Sequence, residues 1–200
     1  MMTVETNPTK VITGVARLSY VHVFEPKSIN GSEPKYSVSV LIPKTDNATI
    51  EKLKLAMNAA LEHGKTSKFG GKVPPNLKMP LRDGDVDRPD DDVYKGHYFI
   101  NCNSDKRPGI AKPVGKHPDG RTKFQEITDT TELYSGCYGR VSINFYAFNI
   151  NGNRGIAAGL GNIVKVQDGE PLAGRASVER EFADLDFDDF DYNADDDYMN

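Results

Sequence analysis

Apolar and polar positions alternate along several stretches of this 200-residue chain, and the alternation predicts strands. Residues 10–24, KVITGVARLSYVHVF, read as one long first strand, ended by Pro26 and the Asn30-Gly31 pair. Residues 35–42, KYSVSVLI, put Tyr36, Val38, Val40 and Ile42 on one face and Ser37, Ser39 and Leu41 on the other. The period then changes. Ile50, Leu53, Met57, Ala60 and Leu61 fall on one helical face, with Asp46 or Asn47 to cap its start and Gly64 to close its end. Residues 65–126 are rich in Gly and Pro, interrupted by a short strand at 97–103 and a second near 109–113. The clearest strand is 137–150, CYGRVSINFYAFNI, returned by an Asn151-Gly152-Asn153 turn into 155–166.

These elements suit a mainly β chain with an OB-fold: a five-stranded, partly open barrel with one α-helix and long loops. The expected division is a flexible N-terminus over 1–9, the OB-fold domain over 10–177 and a disordered acidic tail over 178–200. A ferredoxin-type α+β sheet fits less well, because the loop-rich middle lacks a second periodic helix.

Charge sharpens the picture. From Val178 onward ten acids face one base, Arg180, so that segment carries −9; set against a chain total of −4, this leaves +5 on residues 1–177. A basic body with an acidic tail points to a nucleic-acid partner. Within the tail, Phe187, Phe190 and Tyr198 interleave with Asp188, Asp189, Asp195, Asp196 and Asp197, a pattern suited to a protein partner's basic groove rather than to solubility alone.

Single strands are held where cations follow the backbone and exposed rings stack on bases. Three regions carry both or frame them. The segment 66–72 sets Phe69 between Lys68 and Lys72 on a glycine-rich loop, where the ring is expected to be exposed. The arm 104–126 holds six bases, Lys106, Arg107 and Lys112 among them, against three acids. On the strands, Arg17 and Tyr20 share one segment, and Lys35, Tyr36 and Phe99 are further candidates. In 138–150, Val141, Ile143, Phe145 and Ala147 suit the core, which turns Arg140, Tyr146 and Phe148 outward.

Other chemistries find weaker footing. Asp83, Asp85 and Asp87 alternate in an acidic run and offer a rival reading, a metal-dependent nuclease or recombination enzyme. Counted from Asp83 as an EF-hand, however, the Gly and Glu positions hold Arg88 and Tyr94. No phosphate loop or zinc-protease motif is present, so no enzyme activity, cofactor or metal is expected. Cys102 and Cys137 read as buried, reduced thiols. No apolar run is long enough to span a bilayer, and the first ten residues lack a secretory pattern, so a cytoplasmic protein without membrane contact is expected.

Taken together, ARLSYVHVFEP (16–26), KYSVSVLIPK and the following helix (35–63), LRDGD (81–85), YKGHYFINCNSDKRPG (94–109) and YGRVSINFYAFN (138–149) resemble a phage-encoded single-stranded-DNA-binding family. The likeness covers most of residues 10–166, and it extends more distantly to T7-type binding proteins with acidic tails. It implies an OB-fold, a role in phage DNA replication or recombination in the host cytoplasm, and sequence-independent binding. The partners it implies are single-stranded DNA, duplex DNA as a second ligand, and replication or recombination proteins at the tail; a homodimer is left open. Tails of that type finish on an apolar residue, often Phe, whereas this chain ends Tyr198-Met199-Asn200.

Overall fold

The computed structural model describes residues 7–28 and 31–172. The tail, with Phe187 to Tyr198, lies outside the described residues.

The strands are β1 (Lys10–Ile12), β2 (Ala16–Lys27), β3 (Lys35–Pro43), β4 (Leu81–Asp83), β5 (His97–Ser104), β6 (Ile110–Lys116), β7 (Thr122–Glu126), β8 (Tyr138–Ile150) and β9 (Asn153–Gln167). The helices are α1 (Asn47–Ser67) and the single turn α2 (Gly84–Asp87). Strand β2 pairs with β3, β3 with β5, β5 with β9, β9 with β8, and β8 with β2. That order closes a ring of five, and the fold is a mainly β, OB-type one. Its seam is thin between β5 and β9, where the register holds one parallel pair, Asn103 and Gly159.

Alternation explains the core. Val38, Val40 and Ile42 of β3, Ile100 and Cys102 of β5, and Val141, Ile143 and Phe145 of β8 all point into the ring, with α1 burying Ile50, Leu53, Ala56 and Met57 against them. A second, smaller core forms outside the ring. There Leu41, Tyr94 and Phe99 pack together, the two rings edge to face at 5.0 Å. It pins residues 84–96 over part of the outer face of β3 and β5.

The structure departs from the pattern in four places. The long first strand breaks at residues 13–15, where the Gly14 amide donates to Thr49 Oγ1 (2.9 Å) and turns the chain past the start of α1. Pro26 does not end β2, because β8 pairs only with Ala16 and Arg17, and beyond them no β8 ladder on that side requires its missing N–H. Gly64 does not end α1 either. It is buried within the helix, where a Cβ would sit 2.2 Å from Ala147 Cβ, so it serves close packing against β8. The strand expected near 109–113 runs on to Lys116 as β6, and β7 returns beside it, so much of the 104–126 arm is a hairpin on the edge of β9.

Candidate nucleic-acid interface

A groove of about 630 Å³ crosses β2, β3 and β5 beside the 84–96 segment. Its floor comes from the face that alternation turns away from the core: Ser37 and Ser39 on β3, Asn101 and Asn103 on β5, and His22 on β2. Its cations are Lys27, Lys35 and Arg88, against one acid, Glu33.

Tyr20 rises at the groove's side. Between Ser19 and His22 the β2–β3 register gains one residue on β2, and Tyr20 there takes φ of 47° with its side chain 52% exposed. A left-handed tyrosine costs about 1–3 kcal/mol. The Arg88 guanidinium lies 5.9 Å over its ring and 5.1 Å over Tyr94, but an exposed cation–π contact returns only about 0.5–1 kcal/mol. Arg88 also engages the Tyr20 hydroxyl, so the bulge and the guanidinium together hold the ring at the groove's side.

The acidic run just before Arg88 is ion-paired. Lys44 Nζ reaches Asp83 at 2.6 Å and Asp85 at 2.7 Å, Asp85 also accepts from the Gly96 amide (2.8 Å), and Asp87 pairs with Arg82 at 3.0 Å. These bonds hold the Asp85 carboxyl below its ordinary range, Lys44 first among the causes. Three carboxylates that might have gathered a divalent cation are each taken by a cation of the protein. Among the described residues no cluster of three or more His, Cys, Asp or Glu is arranged to hold a metal.

Burial, with Lys27 nearby, lowers the His22 imidazole, which is therefore neutral at pH 7. Burial raises both thiols, Cys102 well above its usual value, so they stay protonated and inert.

Of the residues singled out in the sequence, Tyr20 and Lys35 line this groove. Lys35 also pairs with Asp105 at 3.1 Å, which ties the loop carrying exposed Lys106 and Arg107 to the groove's rim; Arg107 itself lies over the Phe24 ring. Tyr36 is half-buried at the start of β3. Arg17 is occupied with the Gly136 and Glu170 carbonyls and the Tyr138 ring, and Lys112 with Glu132. Two aromatic candidates are corrected. Phe99 is 0% exposed in the outer core, where no base can reach it. Phe69 is half-buried against the last turn of α1, because Gly70 and Gly71, at φ of 67° and 91°, turn the chain back and fold the ring onto Gly64; Lys68 and Lys72 remain exposed beside it. Arg140 and Tyr146 do face outward on β8, with Phe148 half-buried, but none of the three lines the groove.

Sequence reasoning missed His22, Lys27, Arg88, Asn101 and Asn103. For the two asparagines the signal was present: Ile100 and Cys102 inward puts Asn101 and Asn103 outward. Arg88 was hidden inside a run read only for its acids.

Residues 9–198 match the family model described as Enterobacter phage Enc34, ssDNA-binding protein. The chain belongs to this family. The p50 protein of Acyrthosiphon pisum secondary endosymbiont phage 1 is 31% identical over 188 residues, covering 88% of this chain and 94% of that one. The single-stranded DNA-binding protein from bacteriophage Enc34, solved in complex with ssDNA, is 27% identical, covers 82% of this chain and 90% of its own, and superposes with a TM-score of 0.69. Bacteriophage T7 gp2.5, a single-stranded DNA binding protein, is 12% identical over 91% of this chain and 97% of its own, with a TM-score of 0.52, and so shares the fold. Among the described residues no helix is long and apolar enough to cross a membrane.

Proposed function

We propose that this protein binds single-stranded DNA, largely without regard to sequence, in the β2–β3–β5 groove during phage DNA replication or recombination in the host cytoplasm. The observation that carries the reading is Tyr20: an exposed ring held in a strained backbone beside Arg88, Lys27 and Lys35, over the strand face on which OB-folds take oligonucleotides. Membership of the Enc34 family supports it. Lys106 and Arg107 extend the cationic path along the rim, and Lys68, Lys72 and Arg140 offer further backbone contacts outside it. The protein acts as a binder, not as an enzyme. Against the nuclease reading stands the engagement of Asp83, Asp85 and Asp87 by Lys44 and Arg82.

The acidic tail, net −9 against a body of +5, competes with DNA for the groove or, once displaced, presents Phe187, Phe190 and Tyr198 to replication proteins. Affinity for an oligo-dT measured over a salt series tests both statements. Intact protein should lose affinity with a slope near −0.7 per phosphate neutralised. Protein lacking residues 179–200 should bind more tightly, most of all at low salt. A flat salt series would overturn the groove reading, and unchanged affinity after truncation would overturn tail competition. Incubation of labelled single-stranded and duplex DNA with Mg²⁺ should shift bands without cleaving either strand.

A further inference from the structure

The groove floor carries more hydrogen-bonding capacity than backbone tracking needs. The strand register sets His22 of β2 opposite Ser37 of β3, and Ser37 opposite Asn103 of β5, so three polar side chains cross the groove in one row. Adjacent strands are about 4.8 Å apart, and Asn101, two positions along the same face of β5, lies about 7 Å from Asn103. None of these four side chains has a hydrogen-bond partner among the described residues, whereas Ser39 nearby receives the Tyr94 hydroxyl at 3.2 Å. The cations lie elsewhere. Lys27 and Lys35 face each other in register toward the ends of their strands, and Arg88 comes from the overlying segment. Phosphates drawn to those positions leave the floor to the bases.

We propose that this floor engages base edges: with a base stacked on Tyr20, the amides of Asn101 and Asn103 hydrogen-bond it. This rests on the reading that the groove takes single-stranded DNA. The physical ground is desolvation. A base laid over the floor displaces the water that satisfies these side chains, and an amide left without a partner then counts against the complex. An asparagine amide presents one donor beside one acceptor. Adenine meets that pair through N6 with N7 or N1, thymine meets it through N3–H with O4 or O2, and single-stranded bases expose these edges. Ser37 and neutral His22 each supply a donor or acceptor to the neighbouring position.

The test compares wild-type protein with an Asn101→Ala/Asn103→Ala double variant on oligo-dA, oligo-dT and an abasic strand of equal length, by fluorescence anisotropy. Using each strand's own wild-type value as reference removes the effect of self-stacking in oligo-dA. The variant should lose roughly tenfold on oligo-dA and on oligo-dT, the scale of one good amide–base pair. It should lose nothing on the abasic strand, whose unchanged binding also reports an intact fold. An Asn101→Ser/Asn103→Ser variant should show the same order of losses. Equal losses on all three strands, or no loss on the two base-bearing strands, would overturn base-edge contact while leaving strand binding in place. Failure of the wild-type protein to bind any of the three would overturn the function proposed above and this inference with it.

Discussion

Arg88 reaches from the 84–96 segment to lie 5.9 Å over the ring of Tyr20, joining an acidic loop to the bulge of β2 across the mouth of the groove. Two positions that are far apart in the chain and unremarkable in composition thereby make one feature, a ring presented between a cation and a polar floor.

Replacing Tyr20 by Ala should weaken binding to base-bearing single strands by about 1–3 kcal/mol, the value of one base stack. Its effect on an abasic strand should be small. Thermal stability should hold or rise slightly with Gly at the same position, since glycine relieves the left-handed strain. Loss of affinity equal on abasic and base-bearing strands would show that the ring does not stack.

Arg88→Ala should act differently. As a phosphate contact, its removal should weaken binding evenly across oligo-dA, oligo-dT and abasic strands and reduce the salt slope by about 0.7. The slope from a salt titration of wild type and variant decides it. An unchanged slope would confine Arg88 to positioning Tyr20.

Acid should affect folding and binding with opposite signs at His22. Its folded-state pKa lies below the ordinary 6.5, through burial first and Lys27 second, so the unfolded chain takes up a proton before the folded one does. That contribution to stability is fully present above pH 6.5 and is lost as pH falls below it. Lys27, Lys35 and Arg88 around the groove oppose protonation and Glu33 favours it. A bound phosphate would favour the imidazolium, so DNA affinity should rise over the same interval. Denaturant melts and binding isotherms between pH 5 and 7, each repeated with His22→Gln, should show both slopes in the wild type and flatten both in the variant.

Gly64→Ala should destabilise the fold by about 1–3 kcal/mol through overpacking. The added methyl would meet Ala147 Cβ at 2.2 Å on the facing strand. A chemical denaturation curve measures it. A neutral or stabilising outcome, as a helix propensity argument alone would give, would mean that α1 does not pack this closely on β8.

Much of the ring was legible along the chain. Strict alternation in 35–42 put Val38 and Val40 on one face, that in 138–150 gave Val141, Ile143 and Phe145 to the core, and the structure buries all of them. Such patterns carry over because a strand has only two faces. Phe99 and Phe69 were misread for the opposite reason. A Phe on an outward face, or between lysines, is exposed only if nothing else covers it, and here Tyr94 covers one and α1 the other. Coverage by a distant segment leaves no mark on local periodicity.

The hairpin of β6 and β7 teaches the same lesson. A strand near 109–113 was expected, but Gly115, Gly120 and the lack of apolar alternation made residues 114–126 read as a loop. They become strands because β9 offers an edge for Ile110 and Ala111 to join.

From its residues alone, then, this protein was bound to be a mainly β body carrying cations, with acids concentrated at one end, because side-chain period and charge are properties of the chain itself. Which cations and rings share one groove depended on the tertiary structure. Tyr20, Arg88, Lys35 and Asn103 meet only through a strand bulge, an ion-paired loop and the β3–β5 register, and such long-range contacts become defined only once the ring has closed.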